Sequence, residues 1–234
     1  KALFEIKGSH NTGIGTNALY STVNAEFNTA VGFNAGANYA SGWNNTFIGA
    51  QADLSFSGQY NAIAIGNLAT PTDNSKVRIG NSANWSYEAF ANWTNISDGL
   101  YKKNVKENVA GLSFIMKLRP VTYNLDITGL SKKFNENANE VIAEKMKLAY
   151  AEKEQMLWTG FIAQEVEASA KQSGFDFSGV DKPRNEHGVY GLRYAEFVVP
   201  LVKAVQEQQM KIVQLEKQNE LLLKRLEILE NKNK

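Results

Sequence analysis

Asn11-Thr12-Gly13-Ile14-Gly15, Asn28-Thr29-Ala30-Val31-Gly32 and Asn45-Thr46-Phe47-Ile48-Gly49 recur 17 residues apart, and Ile63-Ala64-Ile65-Gly66 falls on the same phase. Ala18, Ala35, Ala52 and Ala69 keep the register. A period this short holds about two brief strands and two turns, which is one coil of a parallel β-solenoid; a single coil has no core until another stacks on it. The glycine after each aliphatic residue marks a turn with positive φ, open at no cost to a residue without Cβ. Ile14, Val31, Ile48 and Ile65 then form one aliphatic stripe, expected to be buried by the next coil and against neighbouring chains. A flexible Asn/Gly/Ser linker would have no reason to hold aliphatic residues in phase.

Working outward, the composition breaks near residue 76. Between Gly8 and Ser75 the only charged side chains are Glu26, Asp53 and Asp73, whereas Lys, Glu and Asp are dense afterwards. Lys76 to Asn81 reads as a last strand. Trp85, Tyr87, Phe90 and Trp93 follow in a stretch short of charge, expected to plug the solenoid end or cover a trimer axis. Beyond it, the spacing of Val105, Val109, Leu112, Ile115, Met116 and Leu118 predicts an amphipathic helix over 101–118, interrupted near Gly111 and ended by Arg119-Pro120. Val121 to Leu125 and Leu157 to Ala163 read as strands. An exposed helix is predicted over Asn135 to Met156, another through Gln164, Val166 and Ala168, and a polar loop over Asp176 to Gly191.

From Val198 the apolar residues follow a heptad. Val198, Val205, Ile212, Asn219 and Leu226 take the a positions, and Leu201, Gln208, Leu215, Leu222 and Leu229 take d. Lys211 and Arg225 at g face Glu216 and Glu230 at e of a parallel neighbour, and Leu223 widens the seam toward three helices. Asn219 reads either as a register device, since buried asparagines meet only when helices align, or as a solvated polar residue near a fraying end. Pro200 lies in the first turns of this helix, where it is tolerated only at the very start or with a kink.

Several function classes are excluded. Across 234 residues the formal net charge is +1, and the basic residues form no tract interleaved with aromatics, so nucleic acid is not an expected partner. No apolar run approaches the roughly 18 to 20 residues of a membrane span, and the first residues lack the layout of a secretory signal, so the chain is expected to start inside a longer protein. There is no cysteine, and His10 and His187 are isolated, so neither a metal nor any other cofactor is expected. A G-x-S-x-G nucleophile elbow is also missing, which argues against a hydrolase of outside substrates.

Ser97 with Lys102 five residues later is a weak signal alone, because Ser97 or Asp98 can simply cap the following turn. Its context is more specific. Ser97-Asp98-Gly99-Leu100-Tyr101-Lys102-Lys103-Asn104-Val105, Leu118-Arg119-Pro120-Val121-Thr122-Tyr123, Thr159-Gly160-Phe161-Ile162-Ala163-Gln164-Glu165-Val166 and Tyr190-Gly191-Leu192-Arg193-Tyr194 follow in that order. Over about residues 96–215 this resembles the intramolecular chaperone domain of phage endosialidases and other tail spikes, a family also classed among serine peptidases. The repeats over about 8–81 resemble the head domains of trimeric autotransporter adhesins and phage tail fibres, with a longer period here.

The resemblance implies a homotrimer in which the chaperone domain guides folding of the fibre before it and then cuts itself off. On this chain it implies Ser97 as nucleophile, Lys102 as base, Asp98 in support and Ile96-Ser97 as the scissile peptide. A serine needs such a neighbour to lose its proton, and a lysine serves when burial disfavours its charged form. The sequence departs from the family at Leu100, where the common form carries arginine.

The expected architecture is therefore mixed: a trimeric parallel β-roll or solenoid over 1–81, a junction over 82–96, an α+β chaperone and autoprotease domain over 97–197, and a parallel trimeric coiled coil over 198–234 with Val198, Leu201, Val205, Ile212, Leu215, Asn219, Leu222, Leu226 and Leu229 in its seam. The expected protein is the C-terminal part of a tail or surface fibre, extracellular, on a phage virion or a bacterial surface. Its expected partners are two further copies, the upstream fibre and a cell-surface glycan or receptor. The alternative is a structural or adhesive fibre tip that trimerises without cleaving.

Overall fold

The computed structural model describes residues 1–232 except 22, 39, 40 and 137–139; the side chains of residues 140 and 142 also lie outside the description. The chain divides into two compact units, each assembled from three segments. The first comprises Lys1–Asn92, Thr122–Trp158 and Lys182–Val189, and the second Trp93–Val121, Thr159–Asp181 and Tyr190–Lys234.

The first unit contains the solenoid. Strands β1 (Thr12–Ile14), β3 (Thr29–Val31), β5 (Thr46–Ile48), β6 (Ile63–Ile65) and β7 (Val77–Ile79) stack in parallel in that order, a solenoid of about four turns. Thr12 pairs with Thr29, Thr29 with Thr46 and Thr46 with Ile63, all 17 residues apart, whereas Ile63 pairs with Val77 after only 14. A second ribbon joins β2 (Asn24–Glu26) to β4 (Ser41–Trp43), with Tyr60 bridging to Trp43.

The glycine column behaves as the repeat predicts. Gly15, Gly32, Gly49 and Gly66 have φ of +123°, +139°, +130° and +106°. A Cβ on Gly32 would come within 2.6 Å of the Gly49 carbonyl oxygen, and one on Gly49 equally near that of Gly66. Both the left-handed backbone and the close approach of successive coils therefore demand glycine there.

The interior differs from the expectation. The buried residues are Ala18, Ala30, Ala35, Ala52, Ala64 and Ala69 with Leu19, Phe47 and Leu54, while Ile14, Val31, Ile48 and Ile65 are between 36% and 60% exposed. Strands of three residues explain it. Side chains alternate, so the middle residue points inward and the two flanking residues point out. The aliphatic stripe thus lies on the outside of the single chain, covered only in part by stacking.

The recurring asparagines have a role that periodicity alone did not reveal. Asn11 Oδ1 accepts from Asn28 N at 3.0 Å, Asn28 Oδ1 from Asn45 N at 2.9 Å, and Asn45 Oδ1 from Ala62 N at 2.9 Å. Their Nδ2 groups donate to the carbonyls of Ala25, Gly42 and Gln59. This buried ladder supplies partners for backbone groups at the turns where the strand ladder stops, which no alanine or aliphatic residue could do.

After the solenoid, helices α2 (Ile127–Lys133) and α3 (Glu140–Glu154) belong to the same unit. The Asp126 carboxylate caps α2 by accepting from Gly129 N at 2.6 Å. Buried Glu136 accepts from Ser82 N at 3.0 Å and from the Ser82 hydroxyl, while Lys153 Nζ donates to the carbonyls of Ser82, at 2.8 Å, and Asn84. These charges fasten the turn after β7 over a small core of Ala83, Ile127 and Tyr150. Burial raises the Glu136 pKa, against the opposing pull of the Ser82 hydrogen bonds and the Arg78 charge, and lowers that of Lys153, which Glu136 partly offsets. The helix expected over Asn135 to Met156 is found as α3, although residues 137–139 lie outside the description.

Asp53 interrupts the apolar interior. It accepts from Leu54 N at 2.8 Å and from Asn38 N and Nδ2 at 3.1 and 2.6 Å, yet burial pushes its pKa up to about 7. Between about pH 4 and 7 the folded chain then holds a proton that the unfolded chain has released. Stability therefore falls as pH rises through that window, by on the order of a few kcal/mol. Denaturant midpoints taken from pH 4.5 to 7.5 should show this slope in the wild type, and Asp53→Asn should make it shallower.

The second unit packs α1 (Leu112–Ile115), α4 (Ala163–Gln172) and the start of α5 (Val198–Lys232) around aromatic rings. Phe114 and Phe177 have centroids 5.0 Å apart, Phe177 and Phe197 4.8 Å, and Phe161 and Phe197 5.4 Å, all within the range where rings attract. Short strands β8 (Val121–Tyr123) and β9 (Trp158–Gly160) form one ribbon, and β10 (Val180–Asp181) with β11 (Gly191–Leu192) another, β10 lying inside the stretch expected to be loop and β11 at its end.

The helix predicted over 101–118 is reduced to the four residues of α1. Asn104 sits in the left-handed region at φ +55°, which ends any helix, and Val105 is exposed with no core to face. α1 itself is held by α5. Leu112 N donates to Glu207 Oε2 at 2.8 Å, and a Cβ on Gly111 would lie 2.8 Å from Ala204 N.

Candidate functional site

The Ser97–Lys102 pair is built by a single turn of 3-10 helix over Gly99–Tyr101. Asp98 caps it, its Oδ1 accepting from Leu100 N at 2.9 Å, and Lys102 N donates back to the Gly99 carbonyl at 3.1 Å. That turn folds the lysine side chain toward the serine: Lys102 Nζ donates to Ser97 Oγ at 2.7 Å. Asp98 does the capping and leaves the Ser97 hydroxyl to the amine. A hydrogen bond of this length is the contact across which a proton passes between nucleophile and base.

Solvent surrounds the pair. Every residue from Asn84 to Asn108 is exposed, including the scissile candidate Ile96 at 95%, Leu100 at 87% and Tyr101 at 80%. Trp85, Phe90 and Trp93 are exposed too, so they do not plug the solenoid within one chain; Tyr87 alone reaches back, its hydroxyl donating to the Ile79 carbonyl. Among the described residues none shields the pair from water.

The other motifs converge on the second unit's core. Arg119 grips Glu165 with Nε and Nη2 at 3.1 and 2.5 Å, a bidentate pair that raises the Arg119 pKa and ties the Leu118-Arg119-Pro120 stretch to the start of α4. Phe161 N donates to the Tyr194 hydroxyl at 3.1 Å. Arg193 donates to Asp181 Oδ1 at 2.8 Å and to the Ser178 carbonyl at 2.7 Å, holding the β10–β11 ribbon. These residues are therefore scaffold, and among the described residues they bring no second base or acid to Ser97.

All the heptad residues, from Val198 through Leu201, Val205, Ile212, Leu215, Asn219, Leu222 and Leu226 to Leu229, lie on the single continuous helix α5 and are exposed. Pro200 falls in its first turn and is buried with Ala204 against α1, as its chemistry requires. From Gln208 onward every described residue of α5 is exposed. Among the described residues no group of His, Asp and Glu is placed to hold a metal, and no helix is long and apolar enough to cross a membrane.

Residues 97–175 match the family model described as chaperone of endosialidase. The match begins at Ser97 itself and takes in the Leu118, Thr159 and Asp98 motifs. No curated protein and no solved structure matches the chain.

Proposed function

We propose that this chain is part of a homotrimeric fibre protein, extracellular and carried on a phage tail or a bacterial surface, in which an endosialidase-type chaperone domain drives trimer folding and then cuts the peptide between Ile96 and Ser97. The observation that carries the reading is the coincidence of the chaperone match starting at Ser97 with a lysine amine placed on that serine's hydroxyl. Three surfaces of one chain support the trimer: the solenoid's outer aliphatic stripe, the aromatic segment around Trp85 to Trp93, and the heptad face of α5. Each is too apolar to stay in water at no cost.

In the reaction the Ser97 hydroxyl adds to the Ile96 carbonyl carbon while Lys102 takes up its proton. The C–N bond then breaks, the proton passes to the departing Ser97 amine, and the ester left between Ile96 and Ser97 Oγ is opened by water. Packing of three chains around the exposed segment supplies the burial that a lysine base needs. Intact mass should show fragments of 96 and 138 residues (234 − 96 = 138) from an assembled wild-type chain. Ser97→Ala and Lys102→Ala should each leave it whole, with trimer content unchanged. A proven wild-type trimer that stays full length on prolonged incubation rejects the cleavage step.

The second reading keeps the trimer and drops the chemistry. It is favoured by Leu100, an exposed apolar residue where the family carries a cation beside the serine. Leu100→Arg separates the two, because it should bring cleavage to a dyad that lacks only this charge.

A further inference from the structure

The first unit holds a cavity of about 340 Å³ on the flank of the solenoid, near the lower end of the roughly 300 to 1,000 Å³ range of small-molecule sites. One wall comes from the repeats, with Gln51, Asp53, Thr70 and Thr72; the other comes from the end of α2, with Phe134, and from the Lys182–Val189 segment, with His187. Asp53 and Thr72 are almost fully buried.

Its chemistry is unlike that of the rest of the shaft. Gln51 Oε1 is buried and has no hydrogen-bond partner, a state that costs on the order of 1 to 3 kcal/mol unless a ligand or water donates to it. Asp53 accepts three hydrogen bonds, two on Oδ2 and one on Oδ1, which leaves Oδ1 able to accept another. Gln51 also carries φ +58°, a strained setting for a residue other than glycine. Phe134 adds an apolar ring, stiffened by the Arg78 guanidinium stacked at 3.9 Å, and His187 stacks on Phe56 at 5.3 Å.

These groups define the ligand by elimination. Asp53 is the single carboxylate in the lining, too few for a metal ion. An anion is also ill served: Lys133 Nζ is already engaged by the Glu186 carbonyl at 2.5 Å, and Asp53 lies across the cavity. What remains is a set of uncharged amides and hydroxyls, a spare carboxylate lone pair and an aromatic surface. Groups that accept and donate in turn, beside a ring that covers C–H bonds, suit a neutral molecule dense in hydroxyls.

We infer that this cavity is a binding site for a neutral pyranose unit of a surface glycan, with Gln51 and Asp53 accepting from sugar hydroxyls and Phe134 covering an apolar face of the ring. The site lies within one chain and depends neither on Ser97 nor on the α5 seam.

The full chain would be titrated with the methyl glycosides of glucose, galactose, mannose and N-acetylglucosamine, followed by saturation-transfer NMR and calorimetry. Saturable binding of at least one is expected, weakened tenfold or more by Gln51→Ala and by Asp53→Asn, with thermal unfolding monitored for each variant. His187→Ala, at a residue outside the solenoid interior, provides a third variant that leaves the repeats untouched and should weaken the same glycoside. Absence of saturable binding by all four probes up to high millimolar concentration would overturn the inference. So would binding that survives all three substitutions.

Discussion

Replacing Leu215 and Leu222 together by aspartate is expected to leave the chain monomeric at micromolar concentration and to abolish processing at Ile96-Ser97. Both leucines sit at d positions of α5 and are exposed in the single chain at 57% and 54%. Burying a leucine contributes roughly 2 kcal/mol, so the six removed from a trimer forfeit about 12 kcal/mol before any charge is considered. Six aspartates crowded along an apolar seam add the cost of desolvating and repelling like charges. Sedimentation velocity reads the oligomer, and intact mass reads the cleavage. Because the buried described residues of α5, Pro200 and Ala204, lie in its first turns, circular dichroism should show the solenoid and the aromatic core still folded. Efficient cleavage by a monomer of this variant would separate the chemistry from assembly and remove the reason for placing the dyad in a trimer.

The second large effect is expected at Asn45. Asn45→Ala strips the Ala62 amide of its acceptor and the Gln59 carbonyl of its donor, both inside the solenoid where water does not reach. Each orphaned group costs on the order of 1 to 3 kcal/mol, so a loss of about 4 kcal/mol is expected. That is a large share of the net stability of an ordinary domain. Asn61→Ala makes the contrast: its Nδ2 donates to the Ser75 hydroxyl at an exposed position, and the change should cost well under half as much. Urea unfolding followed by tryptophan fluorescence distinguishes them, and equal costs would mean that the ladder is incidental.

These two cases mark what the sequence makes readable. The 17-residue period, the glycine turns and the alanine phase are local, and each follows from steric rules that act on a few neighbouring atoms. The same repeat misleads about direction. Ile14, Val31, Ile48 and Ile65 look like core because they recur in phase, yet three-residue strands turn the residue between their ends inward, which is Ala30, Phe47 or Ala64. Asn28 and Asn45 stand in plain view at the head of each motif, and their function appears only once coils stack and backbone groups of the adjoining coil come within reach.

Longer-range features are harder still to read. Helix periodicity over 101–118 is genuine, but Asn104 and the lack of any core to face leave only Leu112–Ile115 helical. Nothing in the order of residues announces that Glu136 and Lys153 will fasten the turn at Ser82. The Ser97–Lys102 pair lies between these extremes. Five residues and one capped turn suffice to bring hydroxyl and amine together, so the contact is local and foreseeable, whereas the exposure of everything around it is visible only in the folded chain.

An interior floored with methyl groups carries a consequence for how the shaft can vary. Ala30, Ala35, Ala52, Ala64 and Ala69 are fully buried beside Phe47, and the glycine column forbids even a Cβ. The outward threonines of the same strands, Thr12 and Thr29, meet no such restriction. Such a rod resembles a printing cylinder, rigid within and rewritable on its surface, where new contacts can be engraved row by row without disturbing the stack beneath.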